Sequence, residues 1–184
     1  MFAREVVKQS LPLLIICGLG GIITGNFLGA MIDLFKQIPG LLVVIPAVIA
    51  LRGNINTALG SRLGSAYHLG IIDAKNMWNR ELKQNILGSL VLSIILSLII
   101  GIIAYGSSVL LNINPDPIIL ITIVVVAGSV SGIILAFLTI LIIYIVFKRG
   151  YDPDNITGPA LATFGDIITI LCIFGSALFI GGFV

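Results

Sequence analysis

One carboxylate stands alone in an apolar run. The stretch GPALATFGDIITILCIF, residues 158 to 174, contains Asp166 and no other charged side chain. An aspartate at the centre of a spanning helix costs roughly 2.5 to 3.5 kcal/mol on insertion scales, so it normally faces a bundle interior or a water-filled cavity. A metal site, a proton relay and a buried ion pair are the chemistries that fit it. A second interruption is PAVIALRGNINTALGSR, where Arg52 is followed by Asn54, Asn56 and Thr57. Asn54 and Thr57 are three apart and so share a helix face. Gly53 and Gly60 leave backbone carbonyls approachable, and oxygen ligands of this kind suit hard cations such as magnesium. Small residues and amides also pack membrane helices together, and that reading fits the same segment. Arg52 is always charged and would repel a passing dication. It is expected to pair with Asp166 or Asp33, or to bind carbonyls at a broken helix.

A third polar stretch is RGYDPDNITGP. Asp152 and Asp154 would either concentrate cations at a pore mouth or favour a helix N-terminus. Pro159 fits a first helical turn, where its missing N–H costs nothing. No Ser-His-Asp or Cys-His set is spaced for catalysis, so an enzyme is not expected. His68 reads as an interfacial residue. Cys17 and Cys172 lie in apolar runs and behave as small apolar side chains. One His and two Cys far apart make no zinc site of the usual spacing, and no cofactor is implied.

The elements that must position these groups follow from composition. The chain has 184 residues, 58% hydrophobic and 10% charged, against about 25% charged in soluble domains. The fold class is an all-α membrane protein. About 20 apolar residues cross the hydrocarbon core, and five stretches qualify: Leu11 to Phe35, Leu41 to Leu69, Ile86 to Leu111, Ile118 to Phe147 and Gly158 to Phe183. Open strands are excluded because their edges would leave backbone groups unpaired in lipid. Residues 1–184 read as a single transmembrane transport domain, multi-pass in the cell membrane, and the first apolar run is too long for a cleaved leader.

Arg4 and Lys8, then Lys75, Arg80 and Lys83, then Lys148 and Arg149 all fall on one side if the spans alternate, and Lys36 stands on the other. The positive-inside rule then places the N-terminus in the cytoplasm and the C-terminus outside. The basic residues are scattered, so no nucleic-acid partner is expected; membrane lipid is. Trp78, the single tryptophan, suits the headgroup level, in a loop or in a short interfacial helix over about residues 71 to 85. GLGGIITG and GSVSG (Gly128 to Gly132) are small-residue faces for close helix contact.

IPAVIALRGNINTALGSRLGSAYHLG resembles the Pro…Gly-Asn pattern of MgtE-type magnesium transporters. YDPDNITGPALATFGDIITILCIF is similar to the Asp-Pro…Gly-Pro…Thr…Asp segment at that family's fifth span. The resemblance covers the whole chain as one five-helix domain, and extends to the solute-carrier magnesium transporters of animals, which carry two such domains. It implies transport of a divalent cation, Mg²⁺ above all, along a homodimer interface lined by the second and fifth spans. The family's pore aspartate falls on Asp166, its Gly-Pro on Gly158 and Pro159, its threonine on Thr163 and its Gly-Asn on Gly53 and Asn54, with Asn56 following. The implied metal set is Asp166, Ala162 (through carbonyls near it), Thr163, Asn54 and Asn56. The chain departs where bacterial members have two glycines before the asparagine, since Arg52 takes the first place. No long cytoplasmic sensing domain of the bacterial kind is expected within these 184 residues. The competing reading is a non-transporting membrane subunit in which Asp166 and Arg52 form a structural pair.

Overall fold

The computed structural model describes residues 2–72, 78–149 and 153–182, without the side chains of residues 2–6, 9–10 and 153–155. Asp152, Lys75 and the side chains of Arg4 and Asp154 therefore lie outside the described residues. Six helices follow in order: α1 (Phe2–Ala30), α2 (Ile32–Gln37), α3 (Leu41–His68), α4 (Arg80–Leu110), α5 (Pro117–Lys148) and α6 (Pro153–Gly181). Among the described residues, α1, α3, α4, α5 and α6 contain the five stretches long and apolar enough to cross a membrane. They correspond to the five expected spans.

Three boundaries differ from the sequence expectation. The first span is not continuous to Phe35, because the chain turns at Met31 and restarts as the short α2. Met31 is fully buried, so packing helps make the break, and Gly29 two residues earlier is the local sequence signal for it. The last span begins at Pro153 rather than Gly158, which puts Pro159 inside α6 instead of in its first turn. An interior proline removes one helical hydrogen bond. Residues 80–85 belong to α4, so the polar segment does not form a separate helix there.

Caps explain the sharp starts. The Asp116 carboxylate accepts from the N–H groups of Ile118 at 2.8 Å and Ile119 at 3.1 Å, and Pro117 occupies the first turn of α5. Asn79 accepts from Leu82 N–H at 2.9 Å and donates to the Ile71 carbonyl at 2.6 Å, which ties the start of α4 to the end of α3. Gly40 caps α3 at φ +83°; a Cβ there would meet Ser108 Oγ at 2.9 Å, so both backbone and space require glycine.

α5 packs against α3, α4 and α6, while α1 leans almost wholly on α6. Two apolar clusters fill the bundle. One includes Leu41, Val48, Ala104, Ala127 and Ile170. The other includes Leu59, Leu63, Leu82, Ala136 and Ile143. Between their limits on α3, α4 and α5 lie Arg52 and Asn56, Ser89, Ser93 and Ser97, and Gly128, Ser131 and Gly132, all buried. The core therefore has a polar, small-residue layer at mid-depth.

The α1–α6 seam rests on one close approach. A Cβ on Gly20 would collide with the Thr163 methyl, whereas Gly21 has open space beside it. Cys17 Sγ also donates to the Pro159 carbonyl at 3.5 Å. Gly20→Leu should lower unfolding stability in micelles by about 1 to 3 kcal/mol through overpacking. Gly21→Leu should leave it unchanged, and equal losses in the two variants would remove the seam from the account.

Candidate functional site

Asp166 stands near the middle of α6, half-buried, with no hydrogen-bond or ion-pair partner among the described residues. Lys36–Asp33, exposed and 3.0 Å apart, is the ion pair those residues contain. Its neighbour Gly165 is buried against α3, and a Cβ added there would lie 3.9 Å from Asn56 Nδ2. Asn56 is 1% exposed and its Nδ2 has no partner. Asp166 thus projects from an α6 turn whose preceding residue is pressed onto the amide of α3.

The two asparagines are not brought together. At 3.6 residues per turn, positions two apart point about 200° from one another. Asn56 accordingly faces α6 and Asn54 is exposed, on the open side of α3 with Thr57 and Ser61. Ala162, one turn before Asp166, is exposed as well. Thr163 points toward α1: its hydroxyl donates to the Pro159 carbonyl at 3.0 Å and its methyl meets Gly20. The hydroxyl oxygen keeps its lone pairs.

An open groove of about 320 Å³ lies between α3 and α6 toward the end where α3 finishes and α6 begins, and its last lining residue on α6, Leu161, precedes Asp166 by more than one turn. Thr57, Ser61, Ser65 and His68 of α3 line it with Thr157 and Gly158 of α6. Thr157 is 7% exposed and its hydroxyl has no hydrogen-bond partner. Hydroxyls and glycine backbone give this groove dipoles without net charge. At the same end Tyr67 stacks on Phe147 with centroids 3.6 Å apart, which joins the ends of α3 and α5.

Arg52 does not pair with Asp166 or Asp33. It is fully buried and donates through Nη1 to Ser93 Oγ at 2.7 Å and through Nη2 to the Ser93 carbonyl at 3.4 Å. Ser93 can accept because its own proton goes to the Ser89 carbonyl at 2.7 Å. Ser97 repeats the pattern onto the Ser93 carbonyl at 2.6 Å. The guanidinium fits because Gly132 and Gly128 leave room on α5: a Cβ on Gly132 would sit 2.6 Å from Nη1. Arg52 Nε has no partner. The serines are hydrogen-bond partners that reading for charge misses. Their signal was a four-residue period, Ser89, Ser93 and Ser97, in an otherwise apolar helix.

Among the described residues no group of three or more His, Cys, Asp or Glu could hold a metal ion.

The helices, the mid-depth polar layer and the open polar groove define a multi-pass membrane protein that keeps polar side chains accessible inside its spanning region. The family described as divalent cation transporter, MgtE, matches residues 45–176, and the chain belongs to it. It is 28% identical over 172 residues to "Solute carrier family 41 member 2" of Gallus gallus, covering 88% of this chain and 29% of that protein. To the protein of the same name from Xenopus laevis it is 30% identical over 146 residues, covering 75% and 25%. To "Magnesium transporter MgtE" of Bacillus subtilis (strain 168) it is 28% identical over 178 residues, covering 95% and 37%. The chain thus spans between a quarter and two fifths of these relatives' lengths.

Proposed function

We propose that this chain carries divalent cations, Mg²⁺ first among them, across the membrane through a path between two copies, lined by α3 and α6. The observation that carries the reading is Asp166: a half-buried carboxylate at mid-helix with no partner among the described residues, on the same helix that lines an open polar groove from Thr157 to Leu161. Lipid would leave that carboxylate, and the exposed Asn54, Thr57 and Ser61, unsolvated. A second copy placed over this face covers them and brings a second carboxylate, so that two Asp166 balance one dication. Magnesium sheds its water reluctantly and is commonly bound by one or two carboxylates with several waters retained. Asn54 then meets the hydrated ion from the open face of α3. The Ala162 carbonyl and the Thr163 hydroxyl offer oxygens one turn back on α6, and Asn56 supports the same turn from behind. The hydroxyl groove below Asp166 serves as the hydrated approach. The structural Arg52–Asp166 pair has lost its basis, since Ser93 takes the guanidinium.

The side of approach follows from charge. Arg80 and Lys83 start α4 and Lys148 ends α5, at the groove end of the bundle. By the positive-inside rule that end faces the cytoplasm, which places the N-terminus inside and the C-terminus outside.

Purified protein in vesicles loaded with a magnesium-sensitive dye should admit Mg²⁺ far faster than empty vesicles. The interface is tested separately. In a background with Cys17 and Cys172 replaced by alanine, Thr57→Cys should form a disulfide-linked dimer under mild oxidation. Ile95→Cys, on the lipid-facing side of α4, should stay monomeric on a denaturing gel. The reverse pattern would move the interface away from α3.

A further inference from the structure

On the outer surface where α4 meets α5, at the basic end of the bundle, lies a slot of about 380 Å³ with almost wholly apolar walls. Leu87 and Leu90 of α4 form one wall, and Ile133 and Phe137 of α5 form the other. Its mouth holds two side chains of another kind, Lys83 and Trp78. Both are exposed, Trp78 to 63%. The Lys83 ammonium has no hydrogen-bond or ion-pair partner among the described residues. The nearby Glu81 points about 200° away around the helix, and its carboxylate accepts from Asn85 at 3.2 Å. From Lys83 to Leu90 the helix rises about 10 Å, enough to take the upper part of one acyl chain below a headgroup.

We propose that this slot binds one anionic phospholipid, its phosphate against Lys83, its glycerol region beside the Trp78 indole, and one acyl chain between Leu87 and Phe137. Each part of the ligand meets matching chemistry. A free cation at the interface attracts an anionic headgroup. An indole prefers the boundary between headgroup and hydrocarbon. The apolar slot takes methylenes and offers nothing to a polar ligand. A second copy of the chain is not the occupant, because the exposed polar face that needs covering is that of α3 and α6. The site is separate from the proposed ion path and stands whether or not that path conducts magnesium.

The single tryptophan makes the test direct. The full chain is reconstituted in phosphatidylcholine vesicles containing a minor fraction of lipid brominated near the carbonyl end of its chains. That lipid is either phosphatidylglycerol or phosphatidylcholine. Bromine quenches the Trp78 emission when the lipid occupies the slot. Brominated phosphatidylglycerol should quench at about fivefold lower mole fraction, the preference that one basic side chain at a membrane surface confers. Lys83→Gln should bring the ratio to about one, because that preference is lost with the charge. Arg80→Gln, outside the slot, should keep it, and Ile133→Phe should reduce quenching by filling the slot. Equal quenching by the two lipids in the unaltered protein overturns the proposal. So does a loss in Arg80→Gln as large as that in Lys83→Gln, which would mark a diffuse basic surface. Undiminished quenching in Ile133→Phe overturns it as well.

Discussion

If two copies carry magnesium between them as proposed, Asp166→Asn should abolish magnesium uptake into vesicles while the protein stays folded and keeps its oligomeric state. The substitution keeps size and shape and removes one charge from each copy. Two unit charges about 4 Å apart interact by about 4 kcal/mol at an effective dielectric near 20. Removing one carboxylate from each copy therefore takes away far more than the 1.4 kcal/mol that each tenfold in occupancy requires. Uptake should fall by about 100-fold or more on that scale. Stability should move the other way. Asp166 has no partner to lose among the described residues, and a carboxylate at mid-membrane carries an insertion cost of roughly 2.5 to 3.5 kcal/mol. Asparagine removes most of that cost, so unfolding should be unchanged or harder. Transport lost with stability kept or gained is the signature of a residue retained for its charge. An Asp166→Asn protein that transports normally would end its role as the ion's counter-charge. One that misfolds would return Asp166 to a structural part.

How much of this was legible beforehand depends on what kind of signal each residue carries. Asp166 stood out because one carboxylate in a run of apolar residues needs an ion, a proton path or a buried partner at that depth. The five spans were legible for the same reason, since hydrocarbon thickness demands length and apolarity together. The break at Met31 was not, because Gly29 is a weak signal in a run from Phe27 to Phe35 that stays mostly apolar, and the turn is made in part by contacts with distant helices. The start of α6 was also misplaced. Polarity up to Thr157 suggested a loop, yet the backbone is helical from Pro153 onward. Arg52 was expected to find an acid because opposite charge is the obvious complement. Its actual partners are a serine hydroxyl and a carbonyl on α4, with two glycines on α5 clearing the space. Neutral partners leave no charge pattern; their trace is the spacing of Ser89, Ser93 and Ser97, which matches one helix face. The separation of Asn54 from Asn56 was available from helix geometry alone, since two residues of the same type two apart cannot serve one side.

Gly132→Val should be strongly destabilising, and Arg52→Ala should relieve it. A Cβ at position 132 would lie 2.6 Å from Arg52 Nη1, 2.8 Å from Ser93 Oγ and 3.1 Å from Ser93 Cβ. Valine adds two further methyls to that crowding, and α4 and the guanidinium cannot both yield because they hold each other. Overpacking of a tight core costs about 1 to 3 kcal/mol, occasionally more, and displacing Arg52 from Ser93 strands a buried charge as well. Truncating Arg52 alone opens a cavity but also removes a charge whose Nε lacks a partner, so its two effects oppose. In the double variant the valine methyls enter space the guanidinium vacated. The two changes should therefore couple favourably, by about 0.5 to 3 kcal/mol, as residues in contact do. Gly53→Val serves as the control on α3, since a Cβ there meets nothing within 4 Å. Additive losses for Gly132→Val and Arg52→Ala in micelle unfolding would mean that the glycine pair is not shaped around the arginine. Favourable coupling would show Arg52 as the pin of the mid-depth layer, holding α3 against α4 and α5 while Asn54 and Thr57 stay exposed on the other side of α3.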